Sequence, residues 1–236
     1  MGLPKIDVPL YNLTLPLSKK KVKFRPFLVK EEKILLMAIE SKEEKSVLDA
    51  VKQIVGNCLQ GNLDINELPS VDFEFLFINI RARSVGELVE MQYKCNNTVD
   101  DAKCNHIVDV TLDLLTVKPT KSTIDPKIPL WGDVGIVLKY PTVKSFDMIS
   151  ENEAEAFIEV LRSNFEYIYD SESIYYSKDI SREDFEEFID NLSGLDFNKI
   201  KEFFANLPKL KTTLTFECPK CGFKKEMELE GIQNFF

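Results

Sequence analysis

The sequence predicts an α+β fold: helical segments packed with a small antiparallel sheet, the sheet carrying a split site of four cysteines. Three observations predict it. Apolar residues recur at helical spacing in several stretches, among them Ile34, Leu35, Ala38 and Ile39, and again Phe185, Phe188, Ile189 and Leu192. Elsewhere the period is two, most cleanly in His106–Leu114, where Val108, Val110, Leu112 and Leu114 alternate with other residues. Finally, Cys218 and Cys221 flank Pro219-Lys220 between two strand-like runs, and Cys95 and Cys104 flank a polar loop far upstream.

The first 20 residues read as an extended arm, because Pro4, Pro9 and Pro16 bar a helix. The arm is apolar and needs a surface, either its own domain or a neighbouring subunit. After the Lys19-Lys20-Lys21 turn, Val22–Phe27 alternates as a strand. Helices are expected over Glu31–Ser41 and about Ser46–Leu59. Cys58 falls on the apolar stripe of the second and reads as a small buried residue. A polar break at 64–69 leads to a helix behind Ser70, apolar enough (Phe73, Phe75, Leu76, Phe77, Ile78, Ile80) for central burial. Gly86 ends it, with Arg81 and Arg83 placed to complement its C-terminal dipole.

Leu88–Cys95 and His106–Leu114 are expected to pair as a hairpin, and Val134–Pro141 to form another strand. An acidic helical region follows. Ser150–Glu153 reads as a capping box for a helix carrying Ala154, Phe157, Ile158, Leu161, Phe165 and Ile168. Asp170–Lys178 reads as a polar loop, Ser181 caps the next helix, and Asp196 opens a last one ending at Pro208. Leu210–Glu217 and Phe223–Leu229 close the chain as two strands. The expected divisions are 1–20, 21–86, 87–140, 141–209 and 210–236, with 87–236 packed as one unit.

Composition bounds the function. The 236 residues are 44% hydrophobic and 29% charged, with 17 Phe against one Trp and one His, which suits a globular protein with a substantial core. The net charge of −9 opposes binding to polyanions. The N-terminus shows no apolar signal core, Ile6 breaks the myristoylation pattern, and no run is long enough to span a membrane. Five cysteines in that context point to a reducing compartment, hence to metal or free thiols.

Two hairpin turns that each present two thiolates make a zinc-ribbon-like site, so Cys95, Cys104, Cys218 and Cys221 are the expected ligands of a structural Zn2+. Cys218-x-x-Cys221 fits such a turn, whereas Cys95-x8-Cys104 needs a wide loop. Each pair has lysines beside it, which offset the charge of a four-thiolate site. His106 competes for one ligand position, and uncoordinated cysteines are the simpler alternative. A redox CxxC would need a helix after the motif, but a strand follows. A single histidine, no glycine-rich phosphate loop and carboxylates on solvated helix faces offer no catalytic set.

Several stretches together resemble a known family. Phe24-Arg25-Pro26-Phe27 leading into Glu31–Ala38, then Arg81-Ala82-Arg83-Ser84-Val85-Gly86-Glu87 behind an apolar helix, then Phe203-Phe204 to Pro208, Cys218-Pro219-Lys220-Cys221-Gly222 and Gly231–Phe236 are similar, in that order, to the T-even-type bacteriophage baseplate hub and hub-assembly proteins. The resemblance implies a non-enzymatic protein of contractile-tail assembly. It would work among other tail proteins, in the host cytoplasm during assembly and in the virion if retained. Phe235-Phe236 would anchor in a partner or tuck into the chain's own core. The alternative is a zinc-ribbon adaptor for nucleic acid or transcription machinery, for which Lys94, Lys103, Lys220, Lys224 and Lys225 would supply the basic face. A thiol oxidoreductase is the third reading.

Overall fold

The apolar arm folds back on its own chain. In the computed structural model, which describes residues 7–121, 125–148 and 153–231, β1 (Tyr11–Thr14) pairs antiparallel with β2 (Lys21–Phe24), Tyr11 opposite Phe24. Leu15 is fully buried and Leu17 packs on the core, so the described part of the arm is a strap in cis. Its turn is pinned by the buried Asp72 carboxylate, which accepts from the Leu17 and Ser18 N–H groups at 2.7 and 2.8 Å.

Two helices follow, α1 (Val29–Ser41) and α2 (Glu44–Cys58), then β3 (Leu59–Gln60), which adds to β2. The helix α3 (Ser70–Val85) buries residues all around its axis, as its unbroken apolar run requires, and Gly86 takes a positive φ of 134° after it. β4 (Leu88–Lys94) and β7 (Ile107–Asp113) form the expected hairpin, from Leu88 opposite Asp113 to Lys94 opposite Ile107. The loop between them is itself a miniature hairpin, β5 (Thr98–Val99) on β6 (Ala102–Lys103).

Beyond β8 (Lys118–Pro119), β9 (Lys127–Pro129) and β10 (Gly135–Leu138) lead to α4 (Glu153–Asn164), β11 (Phe165–Tyr169), β12 (Ile174–Tyr176), α5 (Arg182–Asp190) and α6 (Gly194–Ala205). β13 (Leu210–Glu217) and β14 (Lys224–Glu230) complete the described chain. The expected helix through Phe165 and Ile168 is corrected here. It stops at Asn164, and these two residues point inward from a strand paired with β10. The expected polar loop contains β12, the partner of β11. The capping box at 150–153 and the pair Phe235-Phe236 lie outside the described residues, in the first case for all but Glu153.

The architecture is α+β, but the described strands form five small antiparallel sheets, and the two cysteine pairs sit at the tips of different ones. The chain divides into two compact units. One holds 7–65, 71–120 and 209–231, the other 66–70 and the described part of 121–208. The hairpins at 88–113 and 210–230 therefore share a unit with the N-terminal helices. In sequence, residues 121–208 lie between those two hairpins.

The core of the first unit joins Val71, Ile78 and Ala82 of α3 to Val108, Val110 and Leu112 of β7, to Leu210, Leu214 and Leu229 of the last hairpin, and to Cys95, Cys104 and Cys218. The second unit packs α4, α5 and α6 on the sheet β12-β11-β10-β9, with the Phe165 and Phe185 rings stacked at 4.5 Å. Gly135 leaves its face open for the Tyr169 ring, which occupies the space a Cβ would need. No helix among the described residues is long and apolar enough to cross a membrane.

Candidate metal centre

The two cysteine turns are built alike although their sequences are not. In the second, the Cys218 N–H donates to the Phe223 carbonyl (2.9 Å) and the Gly222 N–H to the Cys218 carbonyl (2.8 Å). In the first, the Cys95 N–H donates to the His106 carbonyl (2.8 Å) and the Asn105 N–H to the Cys95 carbonyl (3.1 Å). The wide Cys95-x8-Cys104 spacing fits because the miniature hairpin consumes the extra residues. Asp100 and Asp101 turn it with φ of 49° and 60°, the left-handed pair that a two-residue hairpin loop needs. The Cys104 N–H then closes onto the Asn97 carbonyl at 2.8 Å.

The four sulfurs converge. Cys95 Sγ lies 3.7 Å from Cys221 Sγ, and Cys104 Sγ 3.8 Å from Cys218 Sγ, across 126 and 114 residues of chain. All four lie within 4.8 Å of one another. None is in a disulfide, whose sulfurs would sit at about 2.05 Å. A tetrahedral ion with metal–sulfur bonds of about 2.3 Å sets its sulfurs about 3.8 Å apart, so the donor set fits such an ion in number, element and spacing. Cys95 and Cys218 are fully buried, Cys104 is buried and Cys221 is half-buried, so the group faces inward. These four residues could hold a metal ion.

Backbone donors point at the sulfurs, yet burial and the neighbouring cysteines hold Cys95 and Cys104 above the ordinary thiol range and only Cys221 is lowered. Backbone N–H groups two residues on donate to three of the thiols: Asn97 to Cys95, His106 to Cys104 and Phe223 to Cys221. The Phe223 N–H is the main cause that brings Cys221 down to about 7, aided by the Asn97 side-chain amide 3.7 Å from its sulfur. Cys95 is held above the ordinary thiol range: the Asn97 N–H lowers it, but burial and hydrogen bonding with the other three cysteines outweigh that. Packed thiols cannot all ionise without a cation to share, which a metal provides.

Of the residues singled out beforehand, the structure brings together all four cysteines. The His106 ring is not among the grouped ligand atoms, and its backbone serves instead. Asn97 escaped sequence reading, since nothing in Asn96-Asn97 marks the second amide as the one facing sulfur. Cys58 is buried in the core, its thiol pushed up to about 11 by burial. The lysines near the cysteines are largely engaged. Lys220 Nζ donates to the Cys104 carbonyl at 3.4 Å, Lys224 pairs with Glu217 at 3.5 Å, and Lys225 donates to the Tyr93 hydroxyl at 2.7 Å.

The family model of the T4 bacteriophage base plate protein matches residues 8–236. The chain belongs to this family. The match takes in both cysteine turns and both units, so the base plate assignment covers nearly the whole molecule. No curated protein and no solved structure matches the chain. A base plate protein acts among other proteins of a phage tail, and a structural or assembly role follows from that membership.

Proposed function

We propose that the chain is a non-enzymatic component or assembly factor of the hub of a contractile-tail base plate, its first unit fixed by a structural zinc ion. The observation that supports this reading is the convergence of Cys95, Cys104, Cys218 and Cys221 from two turns more than a hundred residues apart in one base plate family chain. Four thiolates in a tetrahedral arrangement suit zinc and leave no open coordination position, which is the pattern of a structural site. Cys95, Cys104, Cys218 and Cys221 would be the ligands. The ion would supply cross-linking and charge neutralisation, tying β4–β7 to β13–β14 as a stiff platform for neighbouring tail proteins. The chain would assemble in the host cytoplasm and remain in the virion tail if retained.

Elemental analysis and native mass spectrometry of the purified chain test the metal. One zinc per chain, lost together with cooperative folding in Cys95→Ser and Cys218→Ser, is the expected result. A metal-free, folded protein with four reactive thiols would refute the zinc site. Antibody detection of the chain in hub complexes isolated from infected cells tests the second half, and its absence from hubs and hub intermediates at every stage would refute the hub role.

A further inference from the structure

The two units carry very different charge. Residues 66–70 and 121–208 hold 9 Lys and Arg against 19 Asp and Glu, a net of −10, while the rest of the chain holds 21 against 20. The whole negative excess therefore belongs to one unit. On that unit a trough of about 430 Å³ runs between β11, β12 and α5, floored by Val134, Ile168 and Phe188. A second depression of about 370 Å³ shares Val134 and Phe188 and is edged by Trp131, which is 83% exposed. Asp170, Asp179 and Asp184 line the first trough.

Several cations of this unit are engaged elsewhere, among them Arg182, which pairs with Glu159 and Glu186. Lys127 sits over the Tyr169 ring at 4.7 Å, Lys178 over the Tyr176 ring at 5.8 Å, and Lys199 pairs with Asp196 at 2.8 Å. Asp170 accepts hydrogen bonds from the Glu172 and Ser173 N–H groups and the Tyr175 hydroxyl, and Asp184 from the Ser181 hydroxyl; these bonds keep the carboxylate charge without neutralising it. An apolar floor, an exposed indole and this negative rim together ask for a ligand that is both apolar and cationic. Nucleic acid is repelled by the same charge. An exposed tryptophan beside a concave apolar surface has the chemistry of an interface anchor.

We infer that this double trough docks a basic, apolar segment of another polypeptide: Trp131 and the Val134–Phe188 floor take its apolar side chains, while Asp170, Asp179 and Asp184 take its Lys or Arg. The inference rests on the base plate reading, which supplies protein neighbours, and goes further by naming the surface and the chemistry of its partner.

Short synthetic peptides tiled across the other base plate proteins of the phage, probed with the full-length chain, test it. The bound peptides are expected to combine Lys or Arg with aromatic or aliphatic residues, and to weaken as salt rises from about 0.05 to 0.5 M. Trp131→Ala and the pair Asp179→Asn with Asp184→Asn should each cut affinity about tenfold or more. Met37→Ser, on an exposed position of α1 in the other unit, should leave it unchanged. Bound peptides without a basic excess, binding that survives Trp131→Ala, or no bound peptide at all would overturn the inference. Zinc content and the presence of the chain in hub complexes are measured separately, so this surface can fail while the base plate reading stands.

Discussion

Asn105 and Gly222 occupy the same place in the two cysteine turns. Each follows the second cysteine, each donates its N–H to the carbonyl of the first, and each is left-handed, with φ of 52° and 69°. Left-handed backbone costs most L-residues about 1–2 kcal/mol, while glycine is free of that cost and asparagine tolerates it best among the others. The chain has used both solutions to build one turn twice.

Gly222→Asn should therefore be nearly neutral, whereas Gly222→Ala should cost about 1 kcal/mol and Gly222→Val more. No atom lies within 4 Å of the position a Cβ would take at Gly222, so the penalty is conformational and not steric. Thermal unfolding of the metal-loaded variants ranks them. Equal losses for Asn and Ala would show that the left-handed geometry is not what the position demands.

His106→Ala should leave metal stoichiometry unchanged, because the residue serves the site through its N–H to Cys104 and its carbonyl to Cys95, both of which alanine keeps. Metal content per chain decides. Loss of metal in this variant would place the imidazole among the ligands and displace a cysteine.

The sequence made some of this legible and hid the rest for physical reasons. Period-two alternation marked β4 and β7, and thiol chemistry marked the four cysteines as candidates, because few other patterns place cysteines in paired turns. The equivalence of the turns was hidden, since Asp100 and Asp101 fold eight intervening residues into a hairpin whose only local sign is a pair of aspartates. The end of α4 was hidden as well. Leu161, Phe165 and Ile168 satisfy the helical period, while the odd spacing of Phe165 and Ile168 does not fit regular strand alternation; both reach the core because the pairing with β10 shifts register between Val137 and Leu138. The long-range bond from the Lys139 N–H to the Asn164 carbonyl, at 2.6 Å, lies where the chain changes to β11. Charge marked 141–209 as acidic, but the division into units depends on which hairpins pack together, which no local pattern encodes.

Arg25→Leu should destabilise the first unit by about 3 kcal/mol or more. Its partner Glu31 is fully buried; burial by itself would raise the carboxyl pKa, but hydrogen bonds from Arg25 (2.9 Å) and the Leu28 N–H (2.8 Å) outweigh it and hold the pKa below the ordinary value. A depressed carboxylate contributes stability above its unfolded pKa and loses it as pH falls through the folded one. Wild type should thus weaken on acidification below about pH 4.5, while Arg25→Leu should already be weak at neutral pH and regain stability with Glu31→Gln added. Denaturant titrations from about pH 7 down to about pH 3 read this directly, and an additive double variant would show that the two groups are not coupled.

Glu74 on α3 should behave in the opposite sense. Burial is the main cause that pushes its pKa up to about 7, and the nearby Glu230 charge adds to it. The folded state then holds a proton that the unfolded chain has already released. Stability falls as pH rises from the unfolded value near 4.5 to about 7, and the penalty is complete above that. Glu74→Gln removes the charge while keeping shape, so it should stabilise the protein by about 1–2 kcal/mol at pH above about 7 and leave it nearly unchanged at low pH, where Glu74 is protonated in both states. The readout is the pH profile of unfolding free energy for wild type and variant at constant metal loading. A stability gain from Glu74→Gln that is the same across that range would show that ionisation of Glu74 is not its source, and a loss at high pH would mean that the carboxylate makes a favourable contact there.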